Sequence, residues 1–255
     1  MLAAERRKQI AQWINEHGGI SSEELSRRFS VSIMTIWRDL KELEEQGQIQ
    51  RTRGGAISLE ENAEVEPRFR VKQMVHQDEK ERIAHFAATE LVNDGDIIIL
   101  EGGTTVVAMV KYLDRDNLTV VTNGLDTANA AAPFVPGLVL MCCGGILREL
   151  SRTFVGPQSE TFFEGLSAKK LFLSGTGFTL AAGLTDPNPL EIQVKQKMVR
   201  AAQEIILLLD SSKFGVQSLS VIIPAEKINI LVTDTNAPAD ILASIQALGI
   251  KVYTV

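Results

Sequence analysis

The 255-residue chain has only two cysteines, Cys142 and Cys143, and they are adjacent. Neighbours on a strand point to opposite faces, so this pair is poorly placed to form a bridge, which fits a reducing compartment. A vicinal thiol pair for redox or metal chemistry is the alternative. The three histidines, His17, His76 and His85, are scattered without ligand spacing, so no metal centre is expected. No apolar run approaches membrane length, and the N-terminus lacks the apolar core of a signal peptide. The expectation is therefore a cytoplasmic protein with no membrane partner. Internal repeats and low-complexity tracts are absent. No segment has the dinucleotide glycine fingerprint or the Walker spacing, so no cofactor is expected.

Charge is unevenly spread. The chain carries 26 Lys and Arg against 32 Asp and Glu, yet residues 1–57 hold nine basic and eight acidic residues, a net of +1. The remainder is left with a net of −7. Such an acidic portion repels a phosphate backbone, so nucleic-acid contact is expected only near the N-terminus.

There the pattern is specific. Glu5 to Glu16 reads as a helix with Ile10, Trp13 and Ile14 on one face. Ser21 and Glu24 have capping-box spacing and open a second helix through Phe29, with Leu25 and Phe29 facing the core. After a turn at Ser30, Ser32 can cap a third helix whose apolar face is Ile33, Ile36, Leu40 and Leu43. Met34, Arg38 and Lys41 lie opposite that face, with Thr35 beside them and Trp37 at its flank. Gly47 ends the helix. Ile49–Thr52 and Ala56–Ser58 then read as two strands around Gly54-Gly55, with Arg51 and Arg53 at the tip. Helix, helix, turn, helix, wing is the order of a winged helix-turn-helix. Ser32, Met34, Thr35, Trp37, Arg38, Lys41, Arg51 and Arg53 are the expected DNA-binding residues. A dimerisation or protein-docking module is the rival reading, which the wing disfavours.

Leu59 to Pro67 is acidic and nearly patternless, and residues 59–77 are read as a linker between a domain at 1–58 and one at 78–255. A helix is expected from Asp78 through Leu91, with Ile83, Phe86 and Ala87 inward and Glu79, Lys80, Glu81 and Arg82 on a solvated face. Seven strand candidates follow: Ile97–Leu100, Leu118–Val121, Leu138–Cys143, Lys170–Ser174, Ile205–Leu209, Ile228–Val232 and Ile250–Thr254. Most are Ile, Leu and Val runs without polar alternation, as in strands covered on both faces. Alternation with helices predicts an α/β domain with a largely parallel sheet, whose ligands bind at the carboxyl strand ends. Those ends read Glu101-Gly102-Gly103-Thr104-Thr105, Thr122-Asn123-Gly124, Gly144-Gly145, Ser174-Gly175-Thr176-Gly177 and Asp210-Ser211-Ser212-Lys213. Glycines admit an anion to backbone N–H groups, threonines add donors, and lysine adds the countercharge. The candidates for a small phosphorylated, hydroxyl-rich ligand are Glu101, Gly103, Thr104, Thr105, Asn123, Gly144, Gly145, Thr176, Gly177 and Lys213.

These motifs resemble the DeoR family of bacterial transcriptional regulators over nearly the whole chain. Val31-Ser32-Ile33-Met34-Thr35-Ile36-Trp37-Arg38-Asp39-Leu40 is similar to the family's V-S-x-x-T-I-R-R-D-L, and Arg51-Thr52-Arg53-Gly54-Gly55-Ala56 to its R-x-H-G-G-A. In the second domain, Glu101–Thr105 matches D-x-G-T-T, Gly175-Thr176-Gly177 matches part of G-A-D-G, and Asp210–Gly215 matches D-S-S-K-F-G. Trp37 replaces an arginine, Arg53 a histidine, and Thr176 and Glu101 each replace an aspartate. The resemblance implies a repressor of a sugar-catabolism operon, acting as a homo-oligomer (dimer or tetramer) on double-stranded operator DNA and controlled by a phosphorylated sugar. It also implies a sensor fold like ribose-5-phosphate isomerase. The alternative is a sugar-phosphate isomerase-like enzyme with an accessory DNA-binding head. The resemblance implies that the isomerase-like relatives need carboxylates near the sugar for proton transfer. Glu101 offers one, and no second aligns in sequence, so a non-enzymatic role is expected.

Overall fold

The computed structural model describes residues 2–58 and 68–255, which form two compact units, Met1–Gln77 and Asp78–Val255. The acidic stretch 59–67 read as linker lies outside the described residues.

In the first unit, α1 (Ala3–His17), β1 (Gly19–Ser21), α2 (Ser22–Phe29), α3 (Ile33–Glu45), β2 (Ile49–Thr52), β3 (Gly55–Ser58) and α4 (Phe69–Met74) follow one another. Ser21 caps α2 by accepting the Glu24 N–H at 3.2 Å, and Ser32 caps α3 by accepting the Thr35 N–H at 3.2 Å. Ile10, Ile14, Ile20, Leu25, Ile36, Leu40, Leu43 and Ile49 form one core. Strand β1, not foreseen, makes the wing three-stranded in the antiparallel order β1-β3-β2. Gly55 is required there, because a Cβ would stand 2.1 Å from the Ile20 carbonyl oxygen. Helix α4 falls inside the span read as linker and buries Phe69 and Val71. A Cβ on Gly19 would touch Val71 Cγ1 at 2.9 Å, which places α4 against the wing sheet.

In the second unit, α5 (Gln77–Leu91), begun at the unit boundary, precedes β4 (Ile97–Leu100), α6 (Thr104–Met109), β5 (Thr119–Thr122), α7 (Leu125–Ala131) and β6 (Val139–Cys142). Next come β7 (Ile146–Arg148), β8 (Thr153–Val155), α8 (Pro157–Phe163), β9 (Ala168–Leu173), β10 (Gly177–Thr179) and β11 (Gly183–Asp186). The chain closes with α9 (Pro189–Ala201), β12 (Ala202–Leu208), β13 (Ser220–Ile223), β14 (Ile230–Thr233), α10 (Ala239–Ala247) and β15 (Lys251–Thr254). All seven expected strands join one parallel sheet ordered β15-β14-β12-β9-β4-β5-β6. Alternate residues feed two cores: Ile99, Leu171, Leu207 and Leu231 on one face, Ile98, Leu100, Phe172 and Val232 on the other. Lys80, read as solvated, is buried, and Glu81 pairs with Lys111 at 2.7 Å and Tyr112 at 2.7 Å. The helical wheel of α5 cannot show which distant residues, such as Lys111 and Tyr112, come to meet it.

Strand β4 is the first of the sheet in sequence. From it the chain winds one way through β5 and β6, and the other way through β9, β12, β14 and β15. The reversal lies between β4 and β9, and a crevice at the carboxyl ends of those strands is the expected ligand position in an open α/β sheet.

Candidate nucleic-acid interface and effector site

Helix α3 is held by more than apolar packing. Asp39 accepts from Arg6 Nε at 2.6 Å and Nη2 at 3.3 Å, and both side chains are buried. This pair fixes α1 against α3; the aspartate of the R-D-L motif is therefore structural. Outward, Met34 is 73% exposed and Trp37 49%. Arg38 and Lys41 are exposed beside them. Ile33, expected in the core, is 39% exposed and belongs to this outer surface. Thr35 shares its hydroxyl with Ser32 at 2.9 Å. Arg53 sits in the β2–β3 turn as expected, whereas Arg51 does not sit at the tip. It lies within β2 opposite Ala56, with its N–H donating to Glu44 Oε1 at 2.9 Å and its guanidinium 3.7 Å from Glu44. The turn between β2 and β3 is only Arg53-Gly54, so Arg53 is its one cation.

At the sheet reversal the side chains form a buried polar cluster. Lys195 Nζ from α9 lies 3.0 Å from Glu101 Oε1 and 2.6 Å from Asp186 Oδ2, and donates to the Ser174 carbonyl at 3.0 Å. Burial alone would lower the Lys195 pKa, but Asp186, Glu101 and Glu191 outweigh it and hold the ammonium above the ordinary lysine value. Glu101 Oε2 accepts from the Gly103 N–H and the Ser174 hydroxyl, each at 2.9 Å. Asp186 Oδ1 accepts from the Thr176 N–H at 2.8 Å and its hydroxyl at 2.7 Å. Glu101 and Thr176, expected to meet ligand hydroxyls, thus use these groups within the protein. A second carboxylate is present after all: Asp186 reaches the cluster from β11, ten residues along from Thr176, where no local motif announces it. Lys195 was also missed. The sequence signal was available, since Glu191 and Lys195 lie four apart on a face that otherwise buries Ile192, Val194 and Met198.

The β7–β8 hairpin, unforeseen because its strands are three residues long, crosses the end of β5. Phe154 N–H donates to the Asn123 carbonyl at 2.8 Å, and Leu125 N–H to that of Arg152 at 2.9 Å. Arg148 of the hairpin pairs with Glu191 at 2.8 Å, and Arg152 with Asp126. Asn123 Oδ1 accepts from the Gly102 N–H at 3.1 Å, but its buried Nδ2 has no hydrogen-bond partner. Gly102 is fixed by crowding, with Thr153 Cγ2 2.4 Å from where its Cβ would stand.

Other expected residues fall less uniformly. Gly103 caps α6, followed by Thr104 and buried Thr105. Gly144 and Gly145 are exposed beyond β6, where the Gly144 carbonyl accepts from Ser159 at 2.6 Å. Gly177 is buried in β10, and a Cβ on it would meet the Val216 carbonyl at 2.4 Å, so packing alone requires glycine there. Lys213 follows β12, partly exposed, and forms no ion pair among the described residues. Cys142 is exposed and Cys143 buried, both as free thiols; burial pushes Cys143 up to about 12.

Helix-turn-helix, wing and a parallel sheet with a polar crevice at its reversal define a DNA-binding head joined to an α/β ligand domain. The profile of the DeoR-like helix-turn-helix domain matches residues 6–62, and that of the DeoR C terminal sensor domain residues 75–235. The chain belongs to the DeoR family of transcriptional regulators. It is 35% identical to the HTH-type transcriptional regulator IolR of Bacillus subtilis, over 89% of this chain and 90% of that one. It is 32% identical to GlpR of Haloferax volcanii over 99% and 98%, and 32% identical to the transcriptional repressor AccR of Agrobacterium fabrum over 91% and 89%. Among solved structures, ribose 5-phosphate isomerase from Plasmodium falciparum aligns with a TM-score of 0.40 at 15% identity, over 53% of this chain and 52% of that one. No helix among the described residues is long and apolar enough to cross a membrane.

Proposed function

We propose that this regulator is a cytoplasmic repressor of a sugar-catabolism operon, acting as a homo-oligomer whose grip on its operator is set by a phosphorylated sugar bound at the β4–β9 crevice. The observation that carries the ligand class is a surplus of donors. Glu101 and Asp186 have their oxygens engaged inside the protein, while Asn123 Nδ2 has no partner and Lys213 no counter-ion among the described residues. Beyond Gly103, whose own N–H is held by Glu101, Thr104 and Thr105 add the N–H groups of a helix start. A site with donors to spare takes a ligand rich in acceptor oxygens, and a phosphate with vicinal hydroxyls is such a ligand. Glu101 and Thr176 then shape the crevice from behind, and a ligand oxygen meets Asn123 and the turn. Two heads on one symmetric assembly would read paired half-sites.

The test is thermal-shift screening against a panel of sugar phosphates, since selective binding raises the melting temperature by mass action. The hit is then titrated into the full-length protein on its promoter DNA. Thr105→Val and Lys213→Ala should each abolish the response to the sugar while operator affinity in its absence is kept. A sugar phosphate that acts equally on both variants and the parent would refute the placement.

A further inference from the structure

The outward side of α3 is short of hydrogen-bonding groups. Ile33, Met34 and Trp37 are 39%, 73% and 49% exposed. Thr35 spends its hydroxyl on Ser32, and Lys41 stands 3.7 Å from Glu45. Of the two cations on this side of α3, Arg38 is the one with no ion pair among the described residues, and it is exposed. A cluster of large apolar side chains on a surface marks a partner. On the helix that enters DNA, that partner is the floor of the major groove. The one apolar group that base edges offer there is the C5-methyl of thymine.

We infer that α3 reads its operator chiefly through thymine methyls, with Met34 and Trp37 as the readers and Ile33 beside them, around a guanine bound by Arg38. Residues 33, 34, 37 and 38 are neighbours one turn apart. From residue 33 to residue 38 the helix rises about 7.5 Å, so the contacts cover roughly two base steps of 3.4 Å. The thymines should therefore adjoin the guanine within each half-site. This rests on the family's DNA-binding role and adds what the helix recognises. Trp37 contributes no charge, so Trp37→Arg should steepen the salt dependence by about one counterion.

Replacement of thymine by deoxyuridine tests this, because it removes the methyl and leaves the hydrogen-bonding edge intact. The full-length protein is used to select its preferred duplex from a random library. Each thymine of the half-site is then replaced in turn, and affinity is measured at fixed salt by fluorescence anisotropy. One or two positions should weaken binding about fourfold each, the worth of one buried methyl. That penalty should vanish at one position in Met34→Ala and at its neighbour in Trp37→Ala. Arg38→Ala should keep the penalty and lose the preference for guanine. If no uracil weakens binding, or the penalty survives in both alanine variants, methyl readout is overturned while DNA binding stands. If the library yields no preferred sequence, specific operator recognition itself fails, and the inference with it.

Discussion

Replacing Lys195 by methionine keeps the stem and deletes the charge that two buried carboxylates share. The contacts to Glu101 at 3.0 Å and Asp186 at 2.6 Å are each worth roughly 5–6 kcal/mol gross at an effective dielectric of about 20. Most of that offsets desolvation, and breaking a buried pair costs about 3–5 kcal/mol net. At pH 7 the α/β domain of Lys195→Met should therefore lose about 4 kcal/mol. The loss has a pH signature. Without the ammonium, the carboxylate pair sheds a charge by binding a proton, and that step becomes easier by about 1.4 kcal/mol per pH unit as the solution is acidified. The deficit should shrink from pH 7 to pH 5, and adding Asp186→Asn should recover part of it at pH 7. Urea unfolding followed by circular dichroism measures this. Trp13 and Trp37 both lie in the first unit, so tryptophan fluorescence separates the head from the domain under test. A loss under about 1 kcal/mol, or one constant from pH 5 to pH 8, would mean that Lys195 only fills space.

The head and the opposite sheet edge give further predictions. Arg38→Ala should weaken operator binding by roughly 1–3 kcal/mol if it pairs with guanine. Arg51→Ala should weaken all sequences alike and flatten the salt slope, and its pairing with Glu44 predicts the smaller effect of the two; filter binding at several salt concentrations separates them. Burial pushes the Asp96 carboxyl up, but hydrogen bonds from Lys169, Lys170 and the Asn93 N–H outweigh this and hold it below the ordinary carboxylate value. A depressed folded-state pKa gives stability that is present above the unfolded value and lost as pH falls through the folded one. Asp96→Asn should thus be destabilised at pH 7 and begin to converge with the parent only as pH falls below about 4, as read from urea midpoints.

What the sequence disclosed follows from how local each feature is. The seven sheet strands were legible because strands buried on both faces must be apolar along their whole length. The caps of α2 and α3 were legible because a serine and a backbone N–H three residues apart settle them. The hairpin β7–β8 and the sheet β10-β11-β13 escaped because strands of three or four residues show no period. Arg6 and Asp39 escaped because their bond spans 33 positions. In the crevice, the turns at Glu101, Asn123 and Ser174 were placed by their strands, while Lys195 and Asp186 arrive from α9 and β11, which the strand-end argument does not reach.

The exchange at Thr176 shows what this costs a motif-based argument. Where the family pattern has an aspartate, this chain has threonine, and taken alone that removes a charge from the crevice. In three dimensions the charge is restored from β11, because Asp186 accepts both the N–H and the hydroxyl of Thr176. The corner therefore carries one carboxylate, supplied by β11 and tied to Lys195. A carboxylate held by an ammonium and two donors is a poor base: taking up a proton would break contacts that Glu101 does not replace. The same ties that make the cluster a firm support for the Gly103 and Ser174 turns thus disfavour proton transfer, which accords with the binding role proposed for the crevice.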